Sequence, residues 1–160
     1  MTAHRWILGV DPGQRTGLAL YDSVLRVVEW AAVLTPGDAL EAVRSGSPPG
    51  GSGHRWSLVG VERLTSTGRA NGDILRACED SGRLYEAAHR WMAPEMMQPA
   101  VVWRTRREVC RHWHVSGGNK DGQIIDRLCS WRGGLTRAEA KGKKATPGPF
   151  YGISGDAWQA

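Results

Sequence analysis

Short apolar runs separated by turn residues are the main pattern in the first 61 residues of the chain. The first run, residues 7–10, is too short for a helix and fits a buried strand. Pro12-Gly13 then turns the chain into a second strand that pairs back on the first. Strands are predicted in this way over residues 7–10, 16–21, 24–34 and 56–61.

Apolar residues at helical spacing predict most of the remaining elements. A helix over residues 36–44 begins at Thr35, an N-cap residue followed by proline at the first helical position. The longest helix covers residues 71–90, where Gly82 is expected to permit close packing against the sheet. Its expected apolar stripe consists of Ile74, Leu75, Cys78, Leu84, Tyr85 and Ala88.

The second half is predicted to alternate helices and loops. Residues 91–93 could form a short fifth strand, and Pro99 is expected to open a further helix that carries Val101, Val102 and Val109. An amphipathic helix follows over residues 120–132. Glycine, proline and serine indicate loops at 45–54 and 133–152, and Ser154 could cap a short final helix.

Length and composition narrow the class of protein. A chain of 160 residues that is 41% hydrophobic fits a single domain, residues 1–160, with its own core. We expect a cytoplasmic protein with no membrane association, because no apolar run approaches the length of a membrane span and no signal-peptide core follows the first residues. The cysteines, Cys78, Cys110 and Cys129, are far apart and are expected to be reduced.

Net charge points to a polyanionic partner. The formal charge is +5 and the sequence pI about 9.5, although a basic surface alone would not decide the matter. The distribution of the basic residues is more informative, because they form two groups. One group contains Arg104, Arg106, Arg107 and Arg111, and the other contains Lys141, Lys143 and Lys144.

Candidate chemistry lies at the ends of the buried strands. Asp11 and Glu62 each follow an apolar strand directly, so neighbouring strands would place both carboxylates at one sheet edge. Like charges so placed raise each other's pKa unless a cation neutralises them. The alternative for Glu62 is a salt bridge to Arg63 or another basic residue. Asp156 is a third candidate, and such oxygen ligands suit Mg²⁺ or Mn²⁺.

Two further groups are candidates for binding a ligand. Lys120, at the start of the helix over 120–132, stands where the helix N-terminus already favours an anion such as a phosphate. Cys110, His112 and His114 form a run that could ligate zinc, but they would not share one helix face and the spacing matches no common zinc pattern. Asp121 is expected to complement the helix dipole.

The segment ILGVDPGQRTGLAL resembles the first strand-turn-strand of RuvC-like Holliday junction resolvases, which belong to the RNase H-like superfamily. Asp11, Pro12, Gly13 and Gly17 match its motif, and LVGVE matches the second acidic strand end at Glu62. GRLYEAA resembles the central helix, VSGGNKDGQIID the later basic region with Lys120, and GDA the last acidic motif with Asp156. The similarity covers nearly the whole chain.

The resemblance implies an α/β RNase H-like fold, with a mixed five-stranded sheet flanked by helices on both faces. It implies a homodimeric, Mg²⁺- or Mn²⁺-dependent endonuclease that nicks opposing strands of four-way DNA junctions. Asp11, Glu62 and Asp156 would be catalytic and bind metal, and Lys120 would contact the scissile region. The size and divergent loops look like those of a phage or mobile-element protein acting in a bacterial host. The expected DNA contacts are Arg63, Arg69, Arg104, Arg106, Arg107, Lys120, Lys141, Lys143 and Lys144.

The chain departs from the family pattern at its last motif, where only Asp156 is acidic. The partner position is Ile153 or Gln159, depending on register, and Gln159 could still supply an amide oxygen to a metal. The loop after Glu62 also lacks the family's stacking aromatic, so Arg63 and Arg69 could contact phosphates instead. Two alternatives stay open: a junction-binding protein with little or no catalysis, and an RNase H-like nuclease for other branched DNA or RNA.

Overall fold

The computed structural model describes residues 5–49, 54–64, 71–92, 101–118, 120–151, 153 and 157, apart from the side chains of residues 91 and 92. Five strands form one sheet: β1 Trp6–Asp11, β2 Thr16–Asp22, β3 Val27–Leu34, β4 Leu58–Arg63 and β5 Val101–Thr105. The helices are α1 Pro36–Ser45, α2 Gly72–Met92, α3 Arg106–His112, α4 Lys120–Trp131 and α5 Arg137–Lys141. A small hairpin joins β6 Gly142–Lys143 to β7 Thr146–Pro147.

The sheet is mixed, in the order β3-β2-β1-β4-β5. The first three strands are antiparallel neighbours, whereas β4 and β5 extend the sheet in parallel with β1. The strand that ends at Asp11, β1, is therefore central in the sheet. The predicted α/β class with a mixed five-stranded sheet is confirmed.

Helices pack on both faces of the sheet. On one face, alternate residues of β1 and β4, such as Leu8 and Val59, are fully buried with Val43 of α1 and Leu84 of α2. On the other face, residues of β3 pack against a cluster built from α4, α5 and Phe150. These residues of the strands and of α1 and α2 form one apolar cluster, because alternate positions of a strand point to the same side of the sheet.

A cavity of about 510 Å³ lies on the second face, between the sheet and α3 and α4. Gly9 and Gly60 line its floor, and an added Cβ at Gly60 would meet nothing within 4 Å. Glu62 and Arg104 are also in its lining. The cavity thus extends along this face of the sheet to the strand ends where the candidate carboxylates lie.

Three predicted elements differ from the structure. The third strand begins at Val27 instead of residue 24, because Asp22 accepts hydrogen bonds from the amides of Val24 and Leu25 and holds a turn. Residues 91–92 end α2 and do not form a strand. The fifth strand is instead Val101–Thr105, where β-branched and aromatic residues favour a strand over the predicted helix.

The predicted loop over residues 133–152 contains α5 and the β6–β7 hairpin. Thr136 caps α5 by accepting a hydrogen bond from the Glu139 amide, while the Glu139 carboxylate accepts one from the Thr136 amide. In α2, Ile74 and Leu75 are exposed although they were expected in the apolar stripe. Gly82 does not serve close packing either, since a Cβ there would meet nothing within 4 Å.

Cys78, Cys110 and Cys129 are free thiols. No helix in the described part of the chain is long and apolar enough to cross a membrane.

Candidate active site

Asp11 and Glu62 lie at the carboxyl ends of adjacent parallel strands. Val10 of β1 is opposite Val61 of β4, so the next residue in each strand extends the same register. The Asp11 carboxyl is within hydrogen-bonding reach of the Glu62 carboxyl. The two side chains that the sequence singled out are therefore brought together at the centre of the sheet, on the face that carries the cavity.

Glu62 is held in a confined position. Its side chain is 10% exposed, and its backbone carbonyl accepts a 2.9 Å hydrogen bond from the hydroxyl of the buried Ser81 in α2. Burial raises the pKa of Glu62 above its usual value, although the charge of Arg106 and hydrogen bonds from Arg106 and Asp11 oppose that rise. Two adjacent carboxyl groups in such a place need a shared proton or a cation.

Arg106 supplies one positive charge at this point. Its Nη1 lies 3.3 Å from Oε2 of Glu62, and its Nη2 contacts Oδ1 of Asp121 in the first turn of α4. Arg106 is the first residue of α3, which Thr105 and Glu108 cap reciprocally. Glu62 thus forms the salt bridge that the sequence allowed as an alternative, but with a residue 44 positions away and not with Arg63.

The remaining basic residues of the site take different places. Arg104 is the β5 partner of Glu62 and lines the same cavity. The guanidinium of Arg63 lies 5.1 Å from the ring centroid of Trp103, so it stacks on an aromatic ring. Lys120 is exposed at the start of α4, beside the Asp121 that contacts Arg106. Arg107, Lys143 and Lys144 are also exposed.

Several predicted site residues lie outside the described part of the chain, namely Asp156, Gln159 and Arg69. Of their neighbours, Ile153 and Ala157 are buried and line the same cavity as Glu62. Ile153, the other position that could align with the family's second acid, packs in an apolar cluster with Cys129 and Phe150 and offers no ligand atom.

No three His, Cys, Asp or Glu side chains form a metal-holding group within the described residues. The run Cys110, His112 and His114 combines a buried thiol with two exposed imidazoles. Sequence reasoning missed Ser81 and the pairing of Arg106 with Glu62 and Asp121. Asp121 carried no signal beyond its place in a first helical turn.

No known family model matches the chain, and no curated protein matches it significantly.

Proposed function

We propose that this protein is a metal-dependent, structure-selective DNA endonuclease that resolves four-way junctions by paired symmetric nicks. The observation that carries the proposal is the contact between Asp11 and Glu62 at the ends of adjacent parallel strands. A mixed five-stranded sheet with helices on both faces, as the motif resemblance implies for an RNase H-like fold, supports the same reading.

The carboxyl pair fits a divalent cation. The Asp11 and Glu62 carboxylates are both hard oxygen ligands. They lie close together at a partly buried strand end, so a bound cation would reduce their mutual repulsion. Asp156 and Gln159 are proposed as further ligands on the strength of the resemblance. A bound Mg²⁺ or Mn²⁺ would supply Lewis-acid activation of a water and stabilisation of the departing 3′-oxygen.

The chain's own basic residues would orient the substrate. Lys120 stands exposed at the N-terminus of α4, where free amide groups also favour a phosphate. Arg104 neighbours Glu62 on β5 and is proposed to contact the DNA backbone near the cut. Further proposed backbone contacts are Arg63, Arg69, Arg106, Arg107, Lys141, Lys143 and Lys144. Paired nicks require a homodimer, which we propose as the working assembly in a cytoplasmic setting.

The test is cleavage of a labelled synthetic four-way junction in Mg²⁺. Asp11→Asn should abolish nicking while leaving junction binding intact, because the amide retains the shape of the side chain but binds metal poorly. Asp73→Asn is the matched control, since Asp73 is an exposed residue in the first turn of α2. Undiminished cleavage by Asp11→Asn would reject the proposed site.

One observation favours a second candidate, a junction-binding protein with little catalysis. Arg106 already places a positive charge on Glu62, so the carboxyl pair is partly neutralised without a metal. Junction binding by the wild-type protein without cuts in either Mg²⁺ or Mn²⁺ would favour this candidate. Comparing junction, flap, duplex and RNA–DNA hybrid substrates separates junction resolution from other nuclease activities of the same site.

A further inference from the structure

The guanidinium of Arg106 forms ion pairs with two acids that belong to different parts of the fold. Nη1 of Arg106 faces Glu62 at the end of β4, and Nη2 contacts Asp121 at the start of α4. The acids are not equivalent, because the Glu62 side chain is 10% exposed and the Asp121 side chain is 55% exposed. Arg106 itself is 28% exposed, so it lies between a confined acid and one that faces solvent.

The backbone fixes where this guanidinium can reach. Thr105 ends β5 and caps α3, with its side chain accepting from the Glu108 amide and the Glu108 carboxylate accepting from the Thr105 amide. Arg106 follows directly as the first residue of α3, so its Cα is tied to the sheet edge while its two terminal nitrogens reach different acids. Loss of the contact with Glu62 would therefore leave the contact with Asp121 possible without any backbone movement.

We propose that Arg106 is a built-in counter-ion that a divalent metal must displace from Glu62, and that Asp121 is the acceptor that retains it afterwards. The inference rests on the proposed metal role of Glu62. An arginine cannot lose its charge to make room, so a cation that binds Glu62 must either repel the guanidinium or replace its hydrogen bond. Asp121 lowers the cost of that exchange because it already holds the other terminal nitrogen.

In this arrangement the Arg106 guanidinium and a divalent metal are alternative partners for the Glu62 carboxylate. Without a metal, Arg106 offsets the charge of a confined carboxylate and keeps Glu62 ordered. With a metal on Glu62, the guanidinium is left beside Asp121 and Lys120, at the proposed entrance for a phosphate. Metal binding and the supply of a phosphate-binding arginine would then be one coupled event.

The experiment is a titration of the DNA-free protein with Mn²⁺, followed by electron paramagnetic resonance. Arg106→Gln should bind Mn²⁺ about tenfold more tightly than the wild type, since a charge-assisted hydrogen bond no longer has to be broken. Arg107→Gln is the matched control, because it removes the same charge from the next residue of α3, which makes no ion pair with any described residue. It should change the affinity less than about twofold.

Asp121→Asn tests the acceptor. It should weaken Mn²⁺ binding in the wild-type background, because Arg106 then has only Glu62 as its carboxylate among the described residues. In the Arg106→Gln background the same change should have little effect. An equal effect in both backgrounds would show that Asp121 acts as a distant charge and would overturn its role as acceptor.

Thermal melting provides a second readout if Arg106→Gln is poorly folded without metal. Mn²⁺ should raise the melting temperature of this variant more than that of the wild type, since at a fixed ligand concentration the stabilisation increases as the dissociation constant falls. Equal or weaker Mn²⁺ affinity in Arg106→Gln, with an equal or smaller melting shift, overturns the inference.

Failure of the inference and failure of the proposed function give different results. Binding of Mn²⁺ that is lost in Glu62→Gln but unchanged in Arg106→Gln rejects only the counter-ion role. Binding that survives in both Asp11→Asn and Glu62→Gln rejects the metal site, and the counter-ion role with it. If neither the wild type nor Arg106→Gln binds Mn²⁺ at millimolar concentration, the metal site and the counter-ion role are likewise both rejected.

Discussion

Ser81 holds the end of the strand that carries Glu62. Its hydroxyl donates a 2.9 Å hydrogen bond to the Glu62 carbonyl, and its side chain is buried in the contact between α2 and β4. Ser81→Ala should lower the free energy of unfolding by about 1 kcal/mol, because a buried carbonyl loses a donor. Urea unfolding measures this loss. Ser130→Ala, an exposed change on α4, should be close to neutral, and an equal loss in both variants would contradict the prediction.

Asp22 controls the turn between β2 and β3. Burial raises its pKa, but amide hydrogen bonds from Leu25 and Val24 and the pairing with Arg5 outweigh that effect, so the pKa lies below its usual 3.8. The unfolded chain therefore takes up a proton first as the pH falls. The stabilisation should be complete above pH 3.8 and should be lost as the pH falls through the lower folded-state pKa.

Urea unfolding over a pH series checks this expectation. Asp22→Asn should be less stable than the wild type at neutral pH but should lose less further stability below pH 3.8. Glu41→Gln, an exposed change on α1, serves as the control and should keep the wild-type pH dependence. Parallel curves for the wild type and Asp22→Asn would show that Asp22 does not carry the effect.

Single residues differ in how far the sequence can reveal their roles. Asp11 and Glu62 follow buried apolar runs directly, so local pattern was enough to place them at strand ends. The partner of Glu62 could not be found in this way, because Arg106 is 44 residues distant and only the packing of α3 against the sheet brings it near. The nearest basic residue, Arg63, instead lies over the ring of Trp103.

Elements were predictable where a run and its boundaries agree. The first four strands and the helices α1, α2 and α4 follow from apolar periodicity and capping signals. The helix predicted to open at Pro99 is wrong, because the strand-forming Val101-Val102-Trp103 follows that proline directly. Thr105 followed by Glu108 is a capping box, and this signal would have placed the start of α3 correctly.

The junction of α5 and the β6–β7 hairpin depends on Gly142. Its φ of +66° is unfavourable for other residues, and an added Cβ would lie 2.2 Å from the Gly148 nitrogen. Gly142→Ala should therefore cost at least about 3 kcal/mol, which combines backbone strain with a clash against backbone atoms. Urea unfolding provides the measurement.

Gly134→Ala is the matched control for that clash. Gly134 has a φ of +73°, but a Cβ there would meet nothing within 4 Å. Gly134→Ala should lower the free energy of unfolding by about 1 kcal/mol, which is the cost of the left-handed backbone alone. If both alanine variants lose the same stability, the close approach of Gly142 to Gly148 does not contribute.

Charge is unevenly distributed over the whole molecule. Residues 101–144 contain eleven lysines and arginines against four acidic residues, and they form β5, α3, α4, α5 and the β6–β7 hairpin. The helix α2, on the opposite face of the sheet, pairs Arg83 with Glu79 and Arg90 with Glu86 through ion pairs four residues apart. The net charge follows from the sequence alone. The fold then places most of the segments that carry the excess of positive charge on the sheet face with the cavity and the Glu62 side chain.

If the protein binds four-way junctions as proposed, that asymmetry predicts which basic residues control the salt dependence of binding. Lys143 and Lys144 are exposed on the hairpin that α5 and Phe150 anchor to α4. Each lysine that neutralises a phosphate releases a counter-ion, so replacing both by Gln should reduce the slope of log K against log salt by about 1.8. Fluorescence anisotropy with a labelled four-way junction measures the slope.

The matched control removes the same charge from the other face. Arg83 and Arg90 on α2 are ion-paired with Glu79 and Glu86, so changing both to Gln should leave the slope unchanged. If the binding surface is local, the slope of log K against log salt must fall in the Lys143/Lys144 double variant and not in the Arg83/Arg90 double variant. Equal reductions would mean that net charge alone attracts the DNA, and the face with the Asp11–Glu62 pair would then have no special part in binding.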